Sequence, residues 1–224
     1  LSHPESLSLE IFVKTGSLYH SDKFAGLDVL DLLGKKLEAW LDRLLSELGV
    51  TDQPIIKGKV HPQAIIEGRV YVAEGAEVEP TAYIKGPCYI GPDAEVRHGA
   101  YIRGVVYVGR EAVVGHTTEV KGSVFLDQAK AGHFAYIGDS ILGIDCNLGA
   151  GTKLANLKLN HSKVRVSHPK TRQLIQTDLK KFGAVIGDGS QIGCNAVLSP
   201  GSLLKPGSLI LPCAHHVGTT HLAT

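Results

Sequence analysis

The chain has 224 residues and a formal net charge of +1. So balanced a charge creates no global field that would gather nucleic acid or an anionic membrane. No long apolar run suggests a membrane span, and no basic-then-apolar start suggests a signal peptide, so a cytoplasmic protein is expected.

Residues 1–52 form an N-terminal segment ahead of a repetitive region. Ser8–Val13 is readable as a strand. Residues 27–48 predict an amphipathic helix, with Leu27, Leu30, Leu33, Leu37, Trp40, Leu41, Leu44, Leu45 and Leu48 on one broad stripe and Gly49 as its stop. Such a helix is expected to cap or brace the first coil of the repetitive region, because an open sheet end exposes unpaired strand edges. An oligomer contact is the alternative role.

From residue 53 a six-residue period takes over. Branched aliphatic residues stand at Val60, Ile66, Val72, Val78, Ile84, Ile90, Val96, Ile102, Val108, Val114, Val120 and Leu126. Small residues usually precede them by two, as at Ala64, Ala76, Ala82, Cys88, Ala94 and Ala100. This step is neither helical nor a simple alternation. It predicts a left-handed parallel β-helix of hexapeptide repeats over 53–224, in which three hexads make one coil. The β-branched anchor points inward and the small residue turns the corner. The four cysteines have no paired spacing, and Cys88 and Cys146 fall at small-residue positions, so free structural thiols are expected.

The register breaks after Leu126. Later anchors at Ile137, Leu142, Leu148 and Leu154 are out of the earlier phase, and the period returns at Ile186, Ile192, Leu198, Leu204 and Ile210. Between them lies a basic excursion, 158–183. It contains Lys158, Lys163, Arg165, Lys170, Arg172, Lys180 and Lys181 against the single acid Asp178, with a hairpin around Ser167-His168-Pro169-Lys170. It reads either as a solvated loop or as a phosphate-binding arm thrown toward a neighbouring subunit. Nucleic-acid binding is not expected, because no aromatic residue is interleaved with its charges.

The break contains the densest polar cluster, and departures from a repeat are where function is sought. The runs are Lys130-Ala131-Gly132-His133, Tyr136-Ile137-Gly138-Asp139 and Asn147-Leu148-Gly149-Ala150-Gly151-Thr152. Taken alone, His133 is a corner histidine and Gly149-Ala150-Gly151 a tight turn. Arg103 and Lys121 lie 18 residues apart, one full coil, so they stack and present two charges to one anion. His98 and His116 share that step.

These runs resemble the acetyltransferase domain of the bifunctional glucosamine-1-phosphate acetyltransferase / N-acetylglucosamine-1-phosphate uridyltransferase family, over roughly residues 60–215. The resemblance implies an acetyl-CoA-dependent N-acetyltransferase, with glucosamine 1-phosphate as the favoured acceptor, in synthesis of UDP-N-acetylglucosamine-type sugar nucleotides. It implies His133 as general base and Asn156 as the residue that positions the acetyl group. Arg103, Lys121 and Tyr136 would hold the sugar phosphate, Asn147 would contact the sugar, and Lys181 would be donated across a subunit boundary. Acetyl-CoA would meet the Ala150 N–H, Cys194 and Pro212, with the Ala150 N–H alternatively serving the developing oxyanion. His133 is expected beside the stacked Arg103 and Lys121. A homotrimer with sites between chains is implied, and no metal is required.

Departures are Leu157 in place of an aromatic residue and Cys194 in place of a serine. No Gly-rich phosphate loop precedes residue 60, so uridyl transfer is not expected, and a separate nucleotidyltransferase would supply that step. Two other readings stand beside this one. One is a non-catalytic trimeric scaffold or sugar-nucleotide-binding protein. The other is a metal enzyme resembling γ-class carbonic anhydrases, with His98, His116 and His133 converging.

Overall fold

The computed structural model describes residues 6–221. The first five and last three residues of the expected segments lie outside it. Three eight-stranded sheets form the walls of a prism, the left-handed parallel β-helix predicted from the hexads. The first wall runs from Ile55–Ile56 through Val106–Val108 to Ser202–Leu204. The second runs from Lys59–Val60 through Lys130–His133 to Leu209–Ile210. The third runs from Ile65–Glu67 through Tyr101–Arg103 to His215–His216.

The coil length explains the lost register. Val70 pairs with Cys88 and Cys88 with Val106, at eighteen-residue steps. Val106 then pairs with Ser123 and Val124 with Ile141, at seventeen. Phe125, opposite Val108, therefore takes the inward place expected of Leu126. Leu126 is buried too, but on the outside of the prism. Ala131, opposite Val114, is an inward position the hydrophobic pattern hides, because it is too small to register as an anchor. Both five-residue steps, Val120 to Phe125 and Ile137 to Leu142, fall at the corner from the third wall to the first. The excursion leaves at that corner as well, so Ile141 next pairs with Val185.

A second core covers the outer face of the first wall. Tyr71, Tyr89 and Tyr107 point outward between inward neighbours and stack with centroids 5.7 and 5.0 Å apart. The N-terminal segment closes over them: Phe24 and Trp40 meet the Tyr107 ring at 5.3 and 5.5 Å. The helix is Gly34–Glu47, shorter than the expected 27–48. Asp28 and Asp31 form a capping box for a separate 3-10 turn, Val29–Leu32, and Leu33 is extended before Gly34 at φ +55°, which ends any continuous helix. The helix braces the side of several coils rather than capping an end. Arg69 fixes it by donating to Asp42 Oδ1 at 2.7 Å and Ser46 Oγ at 3.0 Å. Ser8–Val13 is not a strand: Leu9–Ile11 is a 3-10 turn. Asp188 ties this region down by accepting from Lys14 N and Ile144 N at 2.8 and 2.7 Å.

The excursion is neither a free loop nor an outstretched arm. Its hairpin, Arg165–Ser167 with Leu174–Gln176, folds back on its own chain. Val164, Val166 and Phe182 are buried in the second core, and Thr219 Oγ1 donates to Ser167 O at 2.9 Å. Apolar burial outweighs the charge of its surface residues. Cys88 and Cys146 are buried free thiols, and burial pushes the Cys146 thiol up to about 12. Among the described residues no helix is long and apolar enough to cross a membrane.

Phe125→Ala should empty an inward position and cost about 3–5 kcal/mol, read as a lower urea midpoint. A pH effect should arise at His20, whose ring meets the Tyr107 hydroxyl at 3.1 Å. Burial lowers its pKa below the ordinary 6.5, against the opposing pull of Asp22 and Asp127. The unfolded chain then takes up the proton first. Stability should fall as pH drops below about 6.5 toward the folded value, and His20→Asn should flatten that slope in thermal melts.

Candidate active site

The third wall ends at the charged corner. Tyr101 pairs with Glu119 and Ile102 with Val120, which sets Lys121 one rung from Arg103, as the eighteen-residue step requires. Each cation already has a carboxylate. Arg103 reaches Glu119 at 2.7 Å on the exposed wall, and that hydrogen bond raises its pKa. Lys121 reaches Asp139 at 2.8 Å, with the lysine side chain 19% and the aspartate 9% exposed.

Asp139 organises this corner. The same oxygen that receives Lys121 Nζ also accepts from Asn156 Nδ2 in a short hydrogen bond. The Tyr136 hydroxyl donates to Asn156 Oδ1 at 3.5 Å. Burial, followed by Glu119 and Asp139, raises the Tyr136 pKa, so the phenol keeps its proton and remains a donor. A Cβ at Gly138 would lie 2.8 Å from Asn156 Nδ2 and 2.9 Å from Tyr136 Oη, so a side chain there would push this pair apart. Leu157 bridges to Lys181, and Phe182 N donates to Asn156 O at 2.9 Å, so the two ends of the excursion meet beside Asn156. Lys181 thereby lines one cleft with Arg103, Lys121 and Asp139 of its own chain, where donation across a subunit boundary was expected, because the end of the excursion pairs back beside Asn156.

His133 lies elsewhere. It ends the second wall, in register with His116 and one rung from it. Arg103 and Lys121 end the third wall, so within one chain the expected cluster is split between two corners, with the width of the third wall and Tyr136 between them. The reason is the repeat itself. His133 and Lys121 are twelve residues apart, two thirds of a coil, and a prism turns two corners over that distance.

Around His133 a second cleft of about 380 Å³ is lined by Asn147, Ala150, Cys194, Arg97 and Lys130. His133 is exposed and its ring makes no hydrogen bond among the described residues. Its backbone carbonyl accepts from Gly151 N at 3.1 Å. The Ala150 carbonyl accepts from Asn195 N at 2.8 Å, whereas the Ala150 N–H has no acceptor among the described residues. Gly149 admits this packing because a Cβ there would lie 2.6 Å from Cys194 N. Pro212 stands one rung beyond Cys194 and is exposed. The cleft therefore offers an accessible imidazole, a free backbone donor and a side-chain amide. The other brings the cations Arg103, Lys121 and Lys181 beside the carboxylate of Asp139.

Two residues escaped the sequence reading. Asp139 lay inside the motif without a role, and the signal was the need of a half-sheltered lysine for a counter-charge. Phe134, beside His133, is 56% exposed at φ +33°, a conformation set by the corner. The converging imidazoles of the metal-enzyme reading do not form. His98 and His116 stack face to face at 5.3 Å, and no group of three or more metal-ligating side chains is assembled among the described residues.

Residues 84–171 match the family model described as the GMPPB C-terminal domain. The bifunctional protein GlmU of Methanococcus aeolicus is 38% identical over 145 residues, covering 65% of this chain and 34% of that protein. A bifunctional sugar-1-phosphate nucleotidylyltransferase/acetyltransferase of Sulfurisphaera tokodaii is 36% identical over 75 residues, covering 34% of this chain and 18% of that protein. The chain thus spans about a third or less of the length of these relatives. Among solved structures, the acetyltransferase domain of PglB from Neisseria gonorrhoeae in complex with acetyl coenzyme A covers 81% of this chain and 62% of that one, at 14% identity and a TM-score of 0.24. The solenoid is a hexapeptide-repeat domain similar to a segment of the bifunctional sugar-phosphate enzymes.

The Lys121–Asp139 pair should be a stability determinant. Asp139→Asn strands a sheltered ammonium and should cost about 3 kcal/mol in urea unfolding, and the double variant Asp139→Asn with Lys121→Met should recover most of that loss.

Proposed function

We propose that this chain is an acyltransferase that moves the acetyl group of acetyl-CoA to the amine of an amino-sugar 1-phosphate, with glucosamine 1-phosphate as the acceptor. The observation that carries this reading is the shared cleft of His133, Asn147 and the free Ala150 N–H. Acyl transfer from a thioester needs those elements. The sugar amine attacks the thioester carbonyl, and a carbon–nitrogen bond forms. His133 takes a proton from the attacking nitrogen, which requires a neutral imidazole. The Ala150 N–H donates to the carbonyl oxygen as negative charge builds there. The carbon–sulfur bond breaks, and the CoA thiolate leaves with the proton that His133 returns.

Arg103, Lys121, Lys181 and Tyr136 hold the phosphate in this reading, and Asn156 positions the acetyl group. Cys194 and Pro212 border the donor. The two corners lie a wall apart in one chain, so the reading includes a homotrimer in which the His133 corner of one protomer meets the charged corner of the next. An exposed apolar strip supports association: Leu159 is fully exposed, and it lines one cleft with Leu157 and Val217. A separate nucleotidyltransferase would convert the product to a sugar nucleotide.

A second reading, a non-catalytic sugar-phosphate scaffold, is favoured by one fact. Arg103 and Lys121 are both already neutralised within the chain.

The deciding measurement follows N-acetylated product by mass spectrometry, since exposed Cys194 and Cys213 would react with thiol reagents. Wild type should acetylate glucosamine 1-phosphate, and His133→Ala should lower kcat by about 100-fold or more with the fold intact. Full activity in His133→Ala would remove the base. Sugar-phosphate binding by wild type without turnover would favour the scaffold.

A further inference from the structure

The N-terminal helix reaches the charged corner. A cleft of about 440 Å³ is lined by Lys35 and Glu38 of that helix, by Arg103, Lys121 and Asp139 of the solenoid, and by Lys181 at the end of the excursion. Four of these side chains are cations and two are carboxylates. Their commitments differ. Lys121 is held by Asp139 and Arg103 by Glu119. Lys36, the neighbour of Lys35, is held by Asp31 at 2.9 Å. Lys35 and Lys181 have no carboxylate within 4 Å among the described residues, although Glu38 lies on the same cleft. Two ammonium groups therefore share a cleft with no protein counter-charge of their own. A bound anion would supply the counter-charge both lack, and a dianion with several acceptor oxygens could accept from each.

We propose that Lys35 is a substrate-binding residue, donating from the helix to the phosphate of the amino-sugar phosphate, with Lys181 as the second uncommitted cation on that phosphate. This rests on the acceptor reading above. It extends the site beyond the solenoid and beyond the family-matched residues 84–171, to a helix whose place is set by the second core. Trp40, Leu37 and Leu41 bury one face of that helix, and Arg69 anchors it through Asp42, so Lys35 is presented from a fixed support. The phosphate, not the sugar, is what Lys35 reads. Its loss should matter for phosphorylated acceptors alone.

The test is calorimetry on the full chain with glucosamine 1-phosphate, and with inorganic phosphate as a second probe. Lys35→Gln should weaken glucosamine 1-phosphate binding by about tenfold or more, Lys35→Arg should retain most of it, and the control Lys36→Gln should bind as wild type does. In turnover, Lys35→Gln should raise the acceptor KM and leave the acetyl-CoA KM unchanged. Thermal melts of each variant establish that the fold persists. Wild-type affinity in Lys35→Gln, together with lost binding in Lys121→Ala, would overturn the role of Lys35 and leave the acceptor reading standing. Failure of the wild-type chain to bind either probe would overturn both.

Discussion

Rung-over-rung stacking governs this molecule. Each inward side chain rests on its counterpart one coil away, and the parallel ladders fix that spacing at about 4.8 Å. A coil can change length only at a corner, because a one-residue slip within a wall would turn its inward set outward. The chain obeys this. Its two shortened steps and its long excursion all fall at the corner from the third wall to the first. Arg103, Lys121, Asp139 and Lys181 line the cleft at that corner, so the place that tolerates irregular length is also the place that collects charge.

The second core divides the prism into unequal walls. The outward residues of the first wall, including Tyr71, Tyr107, Val124, Ile141 and Leu203, belong to an apolar cluster with the N-terminal segment and the excursion. Sealing one wall leaves the outer faces of the second and third uncovered among the described residues. It also holds the helix Gly34–Glu47 rigidly against the coils. A segment that the solenoid needs only as cover thereby comes to line the charged cleft through Lys35 and Glu38.

Part of the positive charge in that cleft is already paired. Arg103 and Lys121 rest on carboxylates, and Lys121 shares its carboxylate with Asn156. In the proposed reading a phosphate would compete with fixed carboxylates at Arg103 and Lys121 and would meet unpaired ammonium groups only at Lys35 and Lys181. The same Asp139 couples Lys121 to Asn156 and, through it, to Tyr136 in one hydrogen-bonded set.

The six-residue period by itself determined the walls, the inward anchors from Val60 to Val120, the buried free thiols and the stacking of Arg103 with Lys121. These depend on local spacing, and a repeat converts spacing into position. Phe125 in place of Leu126, and the small Ala131, were hidden because corner length is set by how coils pack and not by the pattern along the chain. The apolar outward residues of the first wall also recur one coil apart, yet only their shared cover shows that they form a core. The tertiary structure alone decided that the basic excursion docks on its own chain, that His133 and Lys121 stand at different corners, and that Lys35 shares a cleft with Lys181. Each of those depends on which distant segments bury apolar surface against one another, and no short-range spacing carries that information.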